Sequence, residues 1–235
     1  AGVSATVPSQ STSGYPTTTK NGYIQQFNFT VEQEVRNIGL RLSYIGSRDR
    51  GLNYNLGINK PQPGLTAFTA SRRPYQPFVG ASFIQTNGKT NYDSLTFETK
   101  RNVGALTFDA HWTWANNMSN FLNLENPYQP NFWNRDFTSR HRVVINALWD
   151  LPFGRGKRFL AAAPGTVNHV LGGWKLAWLG YLQKGQYFSP SFSGADPSNT
   201  NTSGGLPDRI ANGNFSTGQR SLERWFDVAA FARPL

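Results

Sequence analysis

Hydrophobic and polar positions alternate with period two along several stretches of this chain, over lengths that a soluble sheet does not need. In residues 22–35, GYIQQFNFTVEQEV, Phe27, Phe29, Val31 and Val35 fall on one face. Gln26, Asn28, Thr30, Glu32 and Glu34 fall on the other. The run is twice the usual five or six residues of a globular strand. Residues 38–46 repeat the pattern, with Ile38, Leu40, Leu42 and Tyr44 opposing Arg41 and Ser43. A turn at Arg36 and Asn37 would join the two as an antiparallel hairpin, with Arg41 facing Glu32 and Glu34 across it.

Residues 91–114 predict a second hairpin, turning near residues 101–104. Leu95 and Phe97, then Leu106, Phe108, Ala110, Trp112 and Trp114, form its apolar face. Its polar face holds Ser94, Thr96, Glu98 and Lys100, then Thr107, Asp109, His111 and Thr113. Asn87-Gly88 reads as a two-residue turn feeding this hairpin from a short strand over 79–85. Residues 141–150 place Val143, Ile145, Ala147 and Trp149 on one face, and Trp174, Leu176 and Trp178 alternate in the last strand. Between them, residues 154–173 predict a turn with a short helical or irregular excursion.

About seven or eight strands result, joined alternately by short turns and by polar loops over 46–78, 115–139 and 189–218. Loops of that length argue against a compact soluble domain. Short turns at one end and long loops at the other suit an outer-membrane barrel. The predicted fold class is all-β: an antiparallel meander, part of a transmembrane β-barrel with long extracellular loops. Residues 1–21 read as a flexible polar segment or loop, 22–188 as the barrel strands with their loops, and 189–235 as a long loop and a short aromatic-anchored segment.

Composition sharpens the choice. Aromatic residues make up 14% and charged residues only 15%, against about 25% charged in ordinary soluble chains. Abundant aromatics among uncharged polar residues suit a surface that is part wet and part lipid-facing, and also a glycan-binding sheet or a self-assembling β-protein. The net charge is +10, but the basic groups are scattered, so nucleic acid is not expected as a partner. With no cysteine, thiolate metal sites and cysteine nucleophiles are excluded. No leader pattern opens the sequence, and no apolar segment is long enough for a membrane-spanning helix.

Candidate chemistry is sparse. Asp109 and His111 share a strand face, yet two ligands without a third do not make a metal site. No G-x-S-x-G elbow accompanies the serines and histidines. GRGKR at 154–158 lacks the spacing of a phosphate-cradling loop and reads as a basic turn able to meet lipid phosphate. No enzyme activity, metal or cofactor is expected. The aromatics Phe97, Phe108, Trp112, Trp114, Trp149, Trp174 and Trp178 are the candidate lipid-facing or interfacial positions. Glu32, Glu34, Arg41, Asp109 and His111 are the candidate lumen-facing polar positions.

Two long strings carry a family resemblance: RDFTSRHRVVINALWDLPFGRGKRFL from Arg135, and LGGWKLAWLGYLQKGQYFSPSFSG from Leu171, followed by PDR and WFDVAAF. With FNFTVEQEVRNIGLRLSYIGSR, NYDSLTFETKR and TFDAHWTWANNM, they resemble the Oar-like TonB-dependent outer-membrane receptors, which carry a carboxypeptidase-regulatory-like domain. The resemblance covers residues 25–234 and only the β-barrel. It implies a barrel of about 22 strands around a plug, energised by a TonB-type partner through the plug region. Seven or eight strands are a third of that, and no plug is visible in the sequence, so these residues are expected to be one arc of a barrel or a retained piece.

The expected function is therefore part of an outer-membrane transporter-like barrel for uptake of a bulky solute, with outer-membrane lipid as its surroundings in a Gram-negative bacterium. The alternative is an extracellular structural protein that self-associates through its unpaired strand edges. A glycan-binding β-domain is the third reading.

Overall fold

The computed structural model describes residues 10–76, 78–121, 126–129 and 132–234. Residues 1–9, 122–125, 130 and 131, which belong to the expected flexible arm and the 115–139 loop, lie outside the described residues, as do 77 and 235. Six long strands dominate: β2 (Tyr23–Val35), β3 (Ile38–Gly57), β4 (Gly80–Arg101), β5 (Leu106–Ser119), β7 (His141–Asp150) and β8 (Lys175–Gln183). They pair in the order β2-β3-β4-β5-β7-β8, each antiparallel to its neighbour. Two short strands join this sheet: β1 (Ser11–Gly14) runs parallel to the start of β4, and β6 (Asn134–Arg135) pairs with the end of β5. Part of the segment read as a polar arm is therefore sheet.

The β2–β3 hairpin turns on Arg36 and Asn37, both at positive φ (50° and 65°), and Val35 pairs directly with Ile38. Two successive left-handed residues match the right-handed twist of the strands they connect, and asparagine tolerates that conformation better than most side chains. The β4–β5 turn spans 102–105, with Gly104 at φ 87°. Only the third connection at this end, 151–174, is long, and it holds the short helix α1 (Gly165–Leu171). The opposite end carries residues 58–79, 120–140 and 184–234, including a small ribbon of β9 (Asp208–Arg209) and β10 (Phe231–Ala232).

The sheet is a single layer. Every residue of β2 is exposed, and the buried apolar residues are few: Tyr54, Leu56, Ala81, Ala115, Ala163 and Ala230. Three of those, Tyr54, Leu56 and Ala81, lie where β3 and β4 run on together beyond the alternating region. Among the described residues no second layer covers the faces of β2–β8, so the alternation is not there to fill a protein core. Burial of both sheet faces in a soluble domain would require packed helices or another sheet.

One expectation is overturned here. Asn87-Gly88 is no turn; β4 passes through it without a break, and β3 continues past Gly46 to Gly57. The pairing is irregular between Arg50 and Tyr54, and Gly88 sits opposite Leu52 at that irregularity. A Cβ on Gly88 would lie 2.7 Å from the Leu52 carbonyl oxygen. The Asn87 side chain accepts a hydrogen bond from Tyr54 Oη at 2.9 Å, and the Tyr54 ring stacks on Phe121. Asn and Gly thus serve a bulge that lets two extended strands stay paired, since an irregular ladder needs one position without a side chain. Replacing Gly88 by valine is expected to destabilise the folded sheet by about 1–3 kcal/mol through this backbone clash. Urea unfolding followed by tryptophan fluorescence measures it, and an unchanged midpoint would remove the bulge from the argument.

Candidate functional site: two sheet faces and an outer cleft

The registers place the sheet's side chains in continuous rows. On one face Val31, Leu42, Phe97, Trp112, Val143 and Leu182 run across all six long strands. Phe29, Tyr44, Leu95, Trp114 and His141 form the row nearer the long loops. Toward the turns, Gln33, Leu40, Thr99, Ala110, Ile145 and Gly180 form a row without aromatics, small at Thr99, Ala110 and Gly180. Phe108, Ala147 and Trp178 follow, then Leu106, Trp149 and Leu176. Trp174 precedes Lys175 and continues this parity, with its indole N–H donating to the Val170 carbonyl at 2.7 Å.

All seven aromatics singled out from the sequence therefore share one face or its continuation. They divide into an upper group, Phe97, Trp112 and Trp114, and a lower group, Phe108, Trp149, Trp174 and Trp178, with the row without aromatics between. From Leu106 to Trp114 the face extends about 27 Å along the strand at ~3.4 Å per residue. At the ~40° tilt usual for outer-membrane barrels that is about 21 Å across the bilayer, near the ~25 Å apolar band of such proteins. Just above, charge appears on the same face: Arg48 Nη2 binds Asp93 Oδ1 at 2.7 Å, and Tyr44 Oη donates to the same oxygen at 2.6 Å. The Arg48 guanidinium also lies over the Phe27 ring, 5.4 Å from its centroid. This cluster bounds the apolar band. Within the upper aromatic rows below this cluster, Trp112 Nε1 donates to His141 Nδ1 at 3.3 Å, and the two rings stack.

The opposite face collects the polar set. Glu32, Arg41, Glu98 and His111 form one row. Arg41 Nε donates to Glu32 Oε1 at 2.6 Å, and its Nη1 reaches Glu98 Oε2 at 3.4 Å. Glu34, expected to share Arg41, stands opposite Gly39 one row away. Glu98 takes that place because β4 lies on the other side of β3. Asp109 and His111 are close, Oδ1 to Nδ1 3.7 Å, but no cluster of three metal-ligating side chains exists among the described residues. Thr30 with Ser43, and Thr96 with Thr113, bond across neighbouring strands in the next row. These positions are partly exposed, so solvent screens each ion pair and the rows are held chiefly by the backbone ladder. Across β2–β5 the face offers a mixed-charge wall, continued on β7 and β8 by Val144, Leu148, Leu179 and Tyr181, and among the described residues it holds no arrangement of nucleophile and base.

Beyond the strands, the outer loops are tied to one another. The Arg72 guanidinium donates to the carbonyls of Gln62 (2.9 Å), Thr66 and Asn199 (2.8 Å). Asn199 Nδ2 donates to the Gly64 carbonyl at 2.7 Å, and Gly64 N–H to the Ser198 carbonyl at 3.1 Å. Between loops 58–79 and 184–207, with Asn126, Pro127 and Pro234 at its side, lies an open cleft of about 420 Å³, lined by Pro61, Pro63, Leu65, Phe192, Thr200 and Thr202 among others, with no charged side chain among the described residues. Sequence reading alone did not single out these residues, because loops of Ser, Asn, Pro and Gly carry no periodicity to place them.

Asp196 holds one wall of this cleft. Burial works against its charge most strongly, yet hydrogen bonds from the Ser198 hydroxyl and from the backbone N–H groups of Thr200, Asn201 and Thr202 together keep its carboxyl below the ordinary aspartate value. Two of these are Thr200 N–H to Oδ1 at 3.1 Å and Asn201 N–H to Oδ2 at 2.5 Å. A lowered folded value means the carboxylate stabilises the loop in full well above pH ~3.9 and loses that contribution as pH falls through the lowered value. Amide exchange at Thr200 and Asn201 is expected to be slow at neutral pH and to quicken, after correction for intrinsic rates, only in strong acid. Asp196→Asn should quicken it roughly tenfold at neutral pH, matching about 1–2 kcal/mol for weakened charge-assisted bonds. Equal protection in both proteins would show that the carboxylate does not order the loop.

A family model described as an outer membrane beta barrel domain matches residues 1–235. No match was found among curated proteins or among solved structures. No helix among the described residues is long and apolar enough to cross a membrane, a finding that does not bear on spanning by strands. With a single-layer, mainly antiparallel sheet, an apolar band of bilayer height and two tight turns at one end against three long segments at the other, the chain belongs to the outer membrane β-barrel domain family, and its place is the outer membrane.

Proposed function

We propose that these residues are one arc of the wall of a TonB-dependent, Oar-like transporter that takes up a bulky solute. The observation that carries the reading is the asymmetry between the two ends of the sheet. At the turn end two of three connections are tight; at the other end three long segments fold against one another around a neutral cleft. Six long strands in an open sheet fall short of the eight that close the smallest barrels. Edges β2 and β8 would each pair with a further strand of the wall. The face bearing Phe97, Phe108, Trp112, Trp114, Trp149, Trp174 and Trp178 then meets lipid, and Glu32, Glu34, Arg41, Asp109 and His111 line the lumen. The cleft's proline, threonine and phenylalanine lining suits an uncharged part of the solute, such as a sugar ring or an apolar side chain. The barrel performs no chemistry; energy enters through a TonB-type partner acting on a plug. The resemblance in residues 25–234 supports this choice of transporter class.

Uptake tests the transport half. Cells with and without the full-length protein are given labelled oligosaccharides and peptides too large for general porins. Saturable uptake that requires the protein and stops with a protonophore is the expected result. Accumulation indifferent to both would overturn the transporter reading.

Substitution tests the assignment of faces. Ile145→Arg, in the middle row of the apolar face, is expected to cost about 2–4 kcal/mol in lipid vesicles. His111→Arg on the polar face should cost under about 1 kcal/mol, because a lumen position stays hydrated. Denaturant unfolding in vesicles reads both, and equal costs would contradict the assignment.

A further inference from the structure

We infer that the long connection at the turn end, residues 151–174, is a membrane foot that docks on anionic phospholipid headgroups of the periplasmic leaflet. The inference goes beyond transport and needs only that the sheet spans the outer membrane with its tight turns toward the periplasm, as barrels of this kind do.

A tight turn would need a few residues here; the chain instead builds an ordered unit. Gly154 N–H donates to the Phe159 carbonyl at 3.0 Å, and Phe159 N–H to the Pro152 carbonyl at 2.9 Å. Asn168 Oδ1, from α1, accepts the Arg155 N–H at 2.6 Å, clamping the basic loop to the helix. Gly154, at φ 116°, packs so closely that a Cβ would lie 2.8 Å from Gly172 Cα. Within this unit Phe153, Phe159, Leu160, Val170 and Leu171 are exposed, and α1 buries none of its residues.

Two observations select the occupant. First, the exposed apolar groups continue the lipid-facing band: Leu151 N–H donates to the Trp174 carbonyl at 2.9 Å, and the Trp174 indole bonds to Val170. That contact ties the last turn of α1 to Trp174, which continues the parity of Leu176 and Trp178. Second, the charge has one sign. Residues 151–174 contain Arg155, Lys157 and Arg158 and no Asp or Glu, and Arg36 and Arg101 add two cations at the other turns. The nearest carboxylates on the strands, Glu34, Asp109 and Asp150, stand on the polar face, and Asp150 is paired with Lys175 at 3.1 Å. Apolar groups at the depth of the acyl boundary with cations beside them match an interface of hydrocarbon and phosphate.

The test uses the full-length protein in vesicles. This chain contains no cysteine, so Val170→Cys and, in the outer loops, the fully exposed Leu222→Cys can each carry a fluorophore. Lipids with a quencher high on the acyl chain, in phosphatidylcholine with or without phosphatidylglycerol, report the depth of each probe. The Val170 probe is expected to be quenched roughly threefold or more above the Leu222 probe when phosphatidylglycerol is present. That excess should shrink toward the control without phosphatidylglycerol, and when Arg155, Lys157 and Arg158 are replaced by glutamine. If the triple variant loses its heat-modifiable gel mobility, a salt titration of the protein with its native cations takes its place, and high salt should reduce the excess likewise. A Val170 probe no more quenched than Leu222 in anionic vesicles overturns the proposal. So does quenching indifferent to phosphatidylglycerol and salt, or protection seen only in native membranes, which would assign the foot to a protein partner.

Discussion

Everything in this chain depends on the hydrogen-bond ladder that joins β2 to β8 in one layer. In hydrocarbon no water replaces a missing partner, and each unsatisfied backbone group costs several kcal/mol. An unbroken ladder is therefore the condition for placing an apolar face in lipid at all. The strands meet it over the whole band: the pairs from Val35 with Ile38 to Trp149 with Leu176 run without a skipped residue. The one marked irregularity, around Leu52 and Gly88, lies above the Arg48–Asp93 cluster, where the wall has left the apolar band and water can serve the freed groups.

With the ladder in place, a period of two sorts the side chains without any help from a core. That explains why so little of the chain is buried and why the two faces differ so strongly. It also explains where charge is allowed. Arg41, Glu32 and Glu98 pair on one face, while on the face of Phe97 and Trp112 charged side chains stand toward the margins of the band, Arg48 with Asp93 above and Arg101 opposite Phe108 below. The row without aromatics, from Gln33 and Leu40 through Thr99, Ala110 and Ile145 to Gly180, lies at mid-height, and the indoles gather above and below it.

The strands and their faces were legible because alternation states them residue by residue. Phe97 and Trp112 could be assigned to one face before any pairing was known, since parity within each strand and the short turn between them suffice; Trp149 lies in a strand apolar on both faces at its middle, and its side follows from its pairing with Leu106. What depended on neighbours not adjacent in sequence was harder to read. Glu98 joins Arg41 only because β4 docks beside β3 after a loop of more than twenty residues, and Glu34 misses Arg41 because it stands opposite Gly39, two residues away on the same face. Asn87-Gly88 carries the composition of a turn and acts as a bulge, since local preference yields to the pairing of two strands that extend past it. The outer cleft left the least trace: its walls are held by Arg72 and Asp196 through backbone carbonyls and amides, groups that every residue possesses.

The strand order carries a consequence for how such a wall comes into being. Each long strand pairs with those next to it along the chain, so the sheet can grow by adding one strand at a time to the last one placed. At every stage a single fresh edge is open, and the two-residue turn at Arg36 and Asn37 makes the first hairpin the cheapest nucleus to close. Parallel pairing of β1 with β4 is the exception, since it must wait for two intervening strands. The synthesis order of the polypeptide and the spatial order of the wall are thus the same order, and assembly into a bilayer needs no rearrangement of strands already laid down.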